Sequence, residues 1–301
     1  MAEEIKRGVS NLVRGVFERA KQTDEFEFAA AIIPLVRGLA PYGPDDPLRE
    51  TEMFVKDMLG LMNAPLEYMT RIRLGLIAYV HMMECKPVYE ELSNILWIIA
   101  GYQAIPEPFE HLYKGIEKRP PSAKRVKGIE KCPPCAKRVK GIEKRPPSAK
   151  RVIDFLACQA RGVDEPGLAD EIEGMFDDAV RNAIAHSDYF FHDDRFQTDS
   201  RRKANPSRLV NGIPLDELRE IMLRGADFFD AMRNASESHR RSYTRPKLVM
   251  ARTTRNDERA VAVLLANEEH GLYGIDGKPN HRLVEECLAY ENHRDTSSEE
   301  I

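Results

Sequence analysis

Apolar residues recurring at helical spacing constrain this chain more than any other feature. Ile5, Val9, Leu12, Val13, Val16 and Phe17 make one stripe. Met69, Ile72, Leu76, Val80 and Met83 make a second. Val88, Leu92, Ile95, Leu96 and Ile99 make a third, which begins at Pro87 and stops near Gly101. Proline suits the first turn of a helix and glycine its end. Residues three and four apart share one helix face, so each stripe asks for another apolar face to cover it. Ser148 is placed to cap a helix from Ala149 to about Arg161. Leu168, Ile172, Met175, Phe176, Ala179, Val180, Ala183 and Ile184 read as one helix running to His186. Leu218, Met222, Phe229 and Met232 mark a long helix after the Asn211-Gly212 turn. A mainly α protein, a helical bundle, is the expectation.

Two regions break the pattern. Residues 114–152 are three copies of a 13-residue unit, KGIEKRPPSAKRV, KGIEKCPPCAKRV and KGIEKRPPSAKRV. A Pro-Pro pair in each unit interrupts any helix. Each unit offers only Ile and Val for burial, too little for a solenoid repeat. The block reads as a basic insertion in a surface loop, where added length costs little entropy. It carries 14 Lys and Arg against 3 Glu, a balance of +11, while the whole chain is at -4. A basic segment on an acidic body is suited to nucleic-acid backbone, although the repeats hold no aromatic residue for stacking, and a solvated loop is an equal reading. Cys132 and Cys135 form Cys-Pro-Pro-Cys. With no second such pair and Arg and Ser at the matching positions of the flanking copies, drift in a duplicated loop explains them better than a redox or zinc site.

The second break is near the C-terminus. LVMARTT and RAVAVLLA are rich in β-branched residues and are separated by Arg-Asn-Asp-Glu. They predict a hairpin, with HGLYGIDG as a third strand and RLVEECLAY as a short amphipathic piece. The organisation is then N-terminal bundle helices over 1–113, the insertion over 114–152, C-terminal bundle helices over 153–243, a small β-rich appendage over 244–291 and an acidic tail over 292–301. No run of 18 apolar residues argues for a membrane span. The N-terminal MAEEIKRGVSNLVRGVF lacks the apolar core of a secretory signal, so a cytoplasmic location is expected. Five cysteines at scattered positions make no disulfide framework.

The chemistry concentrates in Arg181-Asn182-Ala183-Ile184-Ala185-His186. Asn182 and His186 are four apart and share a helix face. Arg181 lies five before His186, roughly 140° around the helix. One helix therefore does not aim both groups at one point, whereas two helices across a two-fold axis would bring two Arg and two His into one cleft. Cleaving RNA without a metal needs a group that exchanges protons near neutrality, which His supplies. It also needs a fixed cation for the charge on the phosphate, which Arg supplies. Asn182 is placed to hydrogen-bond the imidazole or to fix the helix end. The plainer reading is a helix end where His186 satisfies carbonyls and Arg181 is solvated.

This hexapeptide in its helical setting resembles the R-x(4–6)-H motif of HEPN domains, in many of which the residue after Arg is polar. The resemblance implies a helical bundle that dimerises and, in many members, a metal-independent endoribonuclease of a toxin–antitoxin or other defence system. Carried over by position, Arg181 and His186 would be catalytic and Asn182 accessory. RNA would be the substrate, a second copy and an antitoxin or regulatory protein the partners, and no cofactor or metal would be needed. Some members are inactive binding or scaffold modules, which is the alternative. Two further clusters compete less well. His186, Asp188, His192, Asp193 and Asp194 in HSDYFFHDD include metal-ligand types but match no compact ligand spacing, so a polar turn is expected. Glu84, Glu90, Glu91 and Asn94 are read as a solvated face or helix-start charge, outside the site.

Overall fold

In the computed structural model, residues 2–33, 47–62, 64–113, 146–198, 212–252 and 259–296 are described. The protein is mostly helical, with two small antiparallel sheets. The first part contains α1 (Ala2–Thr23), α2 (Glu25–Ile32), α3 (Pro47–Met62), α4 (Tyr68–Met83) and α5 (Lys86–Ile99). Then come α6 (Ala149–Gly162), α7 (Pro166–Gly174) and α8 (Asp178–Ala185). The first sheet is β1 (Tyr189–His192), β2 (Arg195–Thr198) and β3 (Ile213–Pro214). The long helix α9 (Leu215–Ser242) leads to β4 (Lys247–Arg252), β5 (Arg259–Asn267), β6 (Gly271–Asp276) and α10 (His281–Thr296). Most of the 13-residue repeats, with Cys132 and Cys135, fall outside the described residues, as do 297–301 of the acidic tail.

The apolar stripes become the core. Val13, Val16 and Phe17 of α1, Leu76 of α4, Leu92 and Ile95 of α5, Leu156 of α6 and Leu218 of α9 are all fully buried and belong to one cluster. α5 is the central helix: every residue from Val88 to Ile98 is buried. That overturns the solvated face expected for Glu90, Glu91 and Asn94, because α5 has neighbours on all sides. Glu90 accepts an ion pair from Lys86 at 2.9 Å. Asn94 donates to the Ile105 carbonyl and accepts from the Ile105 amide, both at 3.0 Å, fixing the chain after the helix.

The helix expected from Leu168 to His186 is two helices. Met175, Phe176 and Asp177 separate them, and Asp177 caps the second by accepting from the amides of Ala179 and Val180, both at 3.0 Å. An aspartate at this position satisfies donors that a helix start leaves open. The break is held from below by Tyr79, fully buried on α4. Its hydroxyl donates to the Met175 carbonyl at 3.2 Å and accepts from the Asp177 amide at 2.9 Å.

HSDYFFHDD is not only a turn. Its Tyr189–His192 segment is β1, paired with β2 so that His192 lies opposite Arg195. The two residues between them, Asp193 and Asp194, have φ of 48° and 54°. Two successive positive φ values match the tight hairpin turn whose twist suits flanking strands. Asn-Gly is the usual sequence for such a turn, and Asp-Asp is a weaker sign of it. The predicted C-terminal hairpin and third strand are present as β4, β5 and β6, in that order across the sheet. Gly271 opens β6 at φ 66°, where a Cβ would overlap the Arg240 backbone at the end of α9. The sheet can therefore sit against α9 only with glycine there.

Candidate functional site

α8 presents the hexapeptide at its C-terminal end, against α4. Ala183 and Val180 point into the core, and Arg181 and Asn182 lie at the edge of that buried face. His186 closes the helix and is exposed. The turn that follows satisfies the last carbonyls. The Ser187 amide donates to Ile184 at 3.0 Å and the Asp188 amide to Ala183 at 2.9 Å. This pair of reversed bonds is the Schellman arrangement, which places the residue after the cap in the left-handed region. Ser187 accordingly has φ 54°. A serine there stores strain that glycine would avoid.

Arg181 is held from two sides. Its Nε and one terminal nitrogen donate to Oε1 of Glu84, the residue that closes α4. Its other terminal nitrogen donates to Oδ1 of Asn182 at 2.6 Å. A guanidinium has five N–H donors, so these contacts orient the fork and still leave donors for an incoming oxyanion. Glu84 was expected outside the site and lies in it. Asn182 engages Arg181 by its side chain and His186 only by its backbone carbonyl, which accepts the His186 amide at 3.0 Å. The imidazole of His186 has no hydrogen bond or ion pair with another described residue.

The structure thus brings Arg181 and Asn182 together and adds Glu84, while His186 stands apart at the helix end. The missed residues differ in legibility. Asp177, followed by Asp178 and an apolar pair, is a helix-start pattern that can be read locally. Glu84 and Tyr79 are nearly a hundred residues away in sequence and leave no local sign.

The rival cluster disperses. His192 Nδ1 lies 3.0 Å from Asp193 Oδ2, with both side chains largely exposed in the β1–β2 turn. Among the described residues no group of three or more His, Cys, Asp or Glu is placed to hold a metal ion. Among them too, no helix is long and apolar enough to cross a membrane. No protein-family model, curated protein or solved structure matches the chain.

Proposed function

We propose that the chain is a HEPN-like, metal-independent endoribonuclease whose working site is formed by two copies of the α8 end. The observation that carries this reading is an exposed imidazole, unpartnered among the described residues, five residues from a guanidinium already oriented by Glu84 and Asn182. His186 is the general acid and base, and Arg181 binds the phosphate. Asn182 is a positioning residue that holds the guanidinium. The ribose 2′-oxygen attacks phosphorus and the bond to the 5′-oxygen breaks. One imidazole takes the 2′-hydroxyl proton and an imidazolium gives one to the departing 5′-oxygen. The products carry a 2′,3′-cyclic phosphate and a 5′-hydroxyl. The two-fold arrangement supplies both histidines, which a single helix does not.

RNA is the substrate, and the Lys- and Arg-rich residues 114–152 add phosphate contacts that ignore sequence. An RNase of this kind acts in the cytoplasm as a toxin or defence effector restrained by an antitoxin or regulatory protein. The test is incubation of the purified chain with structured and single-stranded RNA in excess EDTA. Cleavage to cyclic-phosphate ends, lost in His186→Ala and in Arg181→Ala, is the expected result. Intact RNA, or cleavage by His186→Ala at the wild-type rate, overturns it.

One observation favours a second reading, a catalytically inactive HEPN-like dimer that binds a partner. Glu84 neutralises Arg181, as an ion pair that only fastens α8 to α4 would. Under that reading Arg181→Ala and Glu84→Gln lower stability alike, and neither changes host growth or RNA integrity on expression.

A further inference from the structure

A cavity of about 340 Å³ lies where the α1–α2 junction meets the edge of β4, far along the chain from Arg181 and His186. Phe26, Leu248, Val249 and Met250 give it an apolar wall, and Met250 is 49% exposed. Its charged lining is two carboxylates, Asp24 and Glu25, and two guanidinium groups, Arg252 and Arg259. Asp24 is occupied twice: it caps α2 through the Glu27 amide at 3.1 Å and lies 3.4 Å from Arg252 Nε. Glu25 is also occupied, by Lys247 at 2.7 Å and by the Tyr243 hydroxyl at 3.1 Å. The Arg259 side chain has no ion pair or hydrogen bond with another described residue, and it lines the same cavity.

Arg259 and Arg252 are register partners on β5 and β4. Like charges directly opposite each other on a sheet destabilise it. Asp24 already answers Arg252, so an anion beside Arg259 would supply the counter-charge that this pair of guanidinium groups lacks, with short charge-assisted hydrogen bonds from the planar Arg259 donor. A bare oxyanion would leave the apolar wall uncovered, and the volume is in the lower range for small-ligand sites. We infer that this cavity binds a small organic anion, a carboxylate or phosphate group on an apolar body. The charge is held at Arg259, beside the Arg252–Asp24 ion pair, and the body lies against Phe26 and Met250. Such a ligand bridges the α1–α2 junction and the β4–β5 hairpin, so it stabilises the folded chain by mass action.

The full chain is titrated with benzoate and with phenyl phosphate at constant ionic strength, and the melting temperature is followed. Benzyl alcohol tests the apolar body alone and inorganic phosphate the charge alone. A saturable rise with either aryl anion, and a much smaller one with both controls, is expected. The stronger of the two aryl anions identifies the head group. Arg259→Ala should weaken binding by about tenfold, the equivalent of one lost charged contact. Met250→Glu, an exposed change that keeps the fold, should abolish binding by placing a carboxylate in the cavity. No saturable rise with either aryl anion overturns the assignment. So does a rise that inorganic phosphate alone reproduces, or one that Arg259→Ala retains in full.

Discussion

Two histidines show how differently one side chain is used in this molecule. His186 ends α8 in solvent, and its imidazole has no partner among the described residues. His239, on α9, is 6% exposed and packs between two aromatic rings. Its ring stacks on Phe17 at 5.7 Å and meets Phe28 edge-on at 5.2 Å. Glu18 Oε1 is 3.6 Å from its Nε2, and Lys21 is the other charge that acts on it. Burial dominates and lowers its pKa below the ordinary 6.5, so the neutral ring is favoured. A helix end in solvent leaves an imidazole able to meet a substrate, whereas the junction of α1, α2 and α9 makes it part of the core. Chemistry is therefore expected from the first and stability from the second.

Exchanging the two roles would break this contrast. The largest effect is expected on activity. Under the proposed ribonuclease reading, His186→Ala should lower RNA cleavage by about 10²–10⁴-fold, the usual worth of a general acid–base, with an unchanged melting temperature. Next, His239→Ala should cost about 2–4 kcal/mol in denaturant unfolding, by opening a cavity between Phe17 and Phe28. Its cleavage per folded molecule should match wild type. Equal loss of stability in both variants would remove the distinction.

The pH dependence sharpens it. Because the folded pKa of His239 is depressed, the unfolded chain binds the extra proton. Stability from this group is full above about 6.5 and is lost as pH falls through the lower folded value. Glu27, whose pKa is raised chiefly by burial, acts in the opposite sense. Stability from that group is full below the ordinary carboxylate value of 4.5 and is lost as pH rises through its folded value. Glu27 is present in both proteins, so on acidification from neutrality wild type should lose more, or gain less, in denaturant midpoint than His239→Gln. Parallel curves for the two proteins would exclude His239 as the source.

Two smaller effects concern what holds α8 in place. Tyr79→Phe removes both bonds at the α7–α8 break and should cost about 1–3 kcal/mol, since the Met175 carbonyl and Asp177 amide lose a buried partner. Ser187→Gly should instead stabilise by about 1 kcal/mol, because glycine adopts the left-handed turn without strain. A destabilised Ser187→Gly protein would show that the turn is held by the serine side chain.

Much of the fold was legible for local reasons. Apolar residues at helical spacing give α1, α4, α5 and α9, and the Ser148 start gives α6. β-branched alternation gives β4 and β5, since both patterns follow from backbone geometry alone. The α7–α8 break was missed because the stripe from Leu168 to Ile184 stays in phase across it, although Asp177 carried a usable cap signal. β1 and β2 were missed because Asp193-Asp194 is an uncommon choice for their turn.

The candidate site divides in the same way. Arg181, Asn182 and His186 are adjacent in the chain, so residue chemistry and helical spacing single them out together. Sequence by itself determined that these groups end an amphipathic helix in a mostly helical protein. Only the tertiary structure decided that Glu84 holds Arg181, that Tyr79 fixes the start of α8, and that His239 is buried while His186 is not. Those facts depend on which helices pack side by side, and packing joins residues whose separation along the chain carries no local signal.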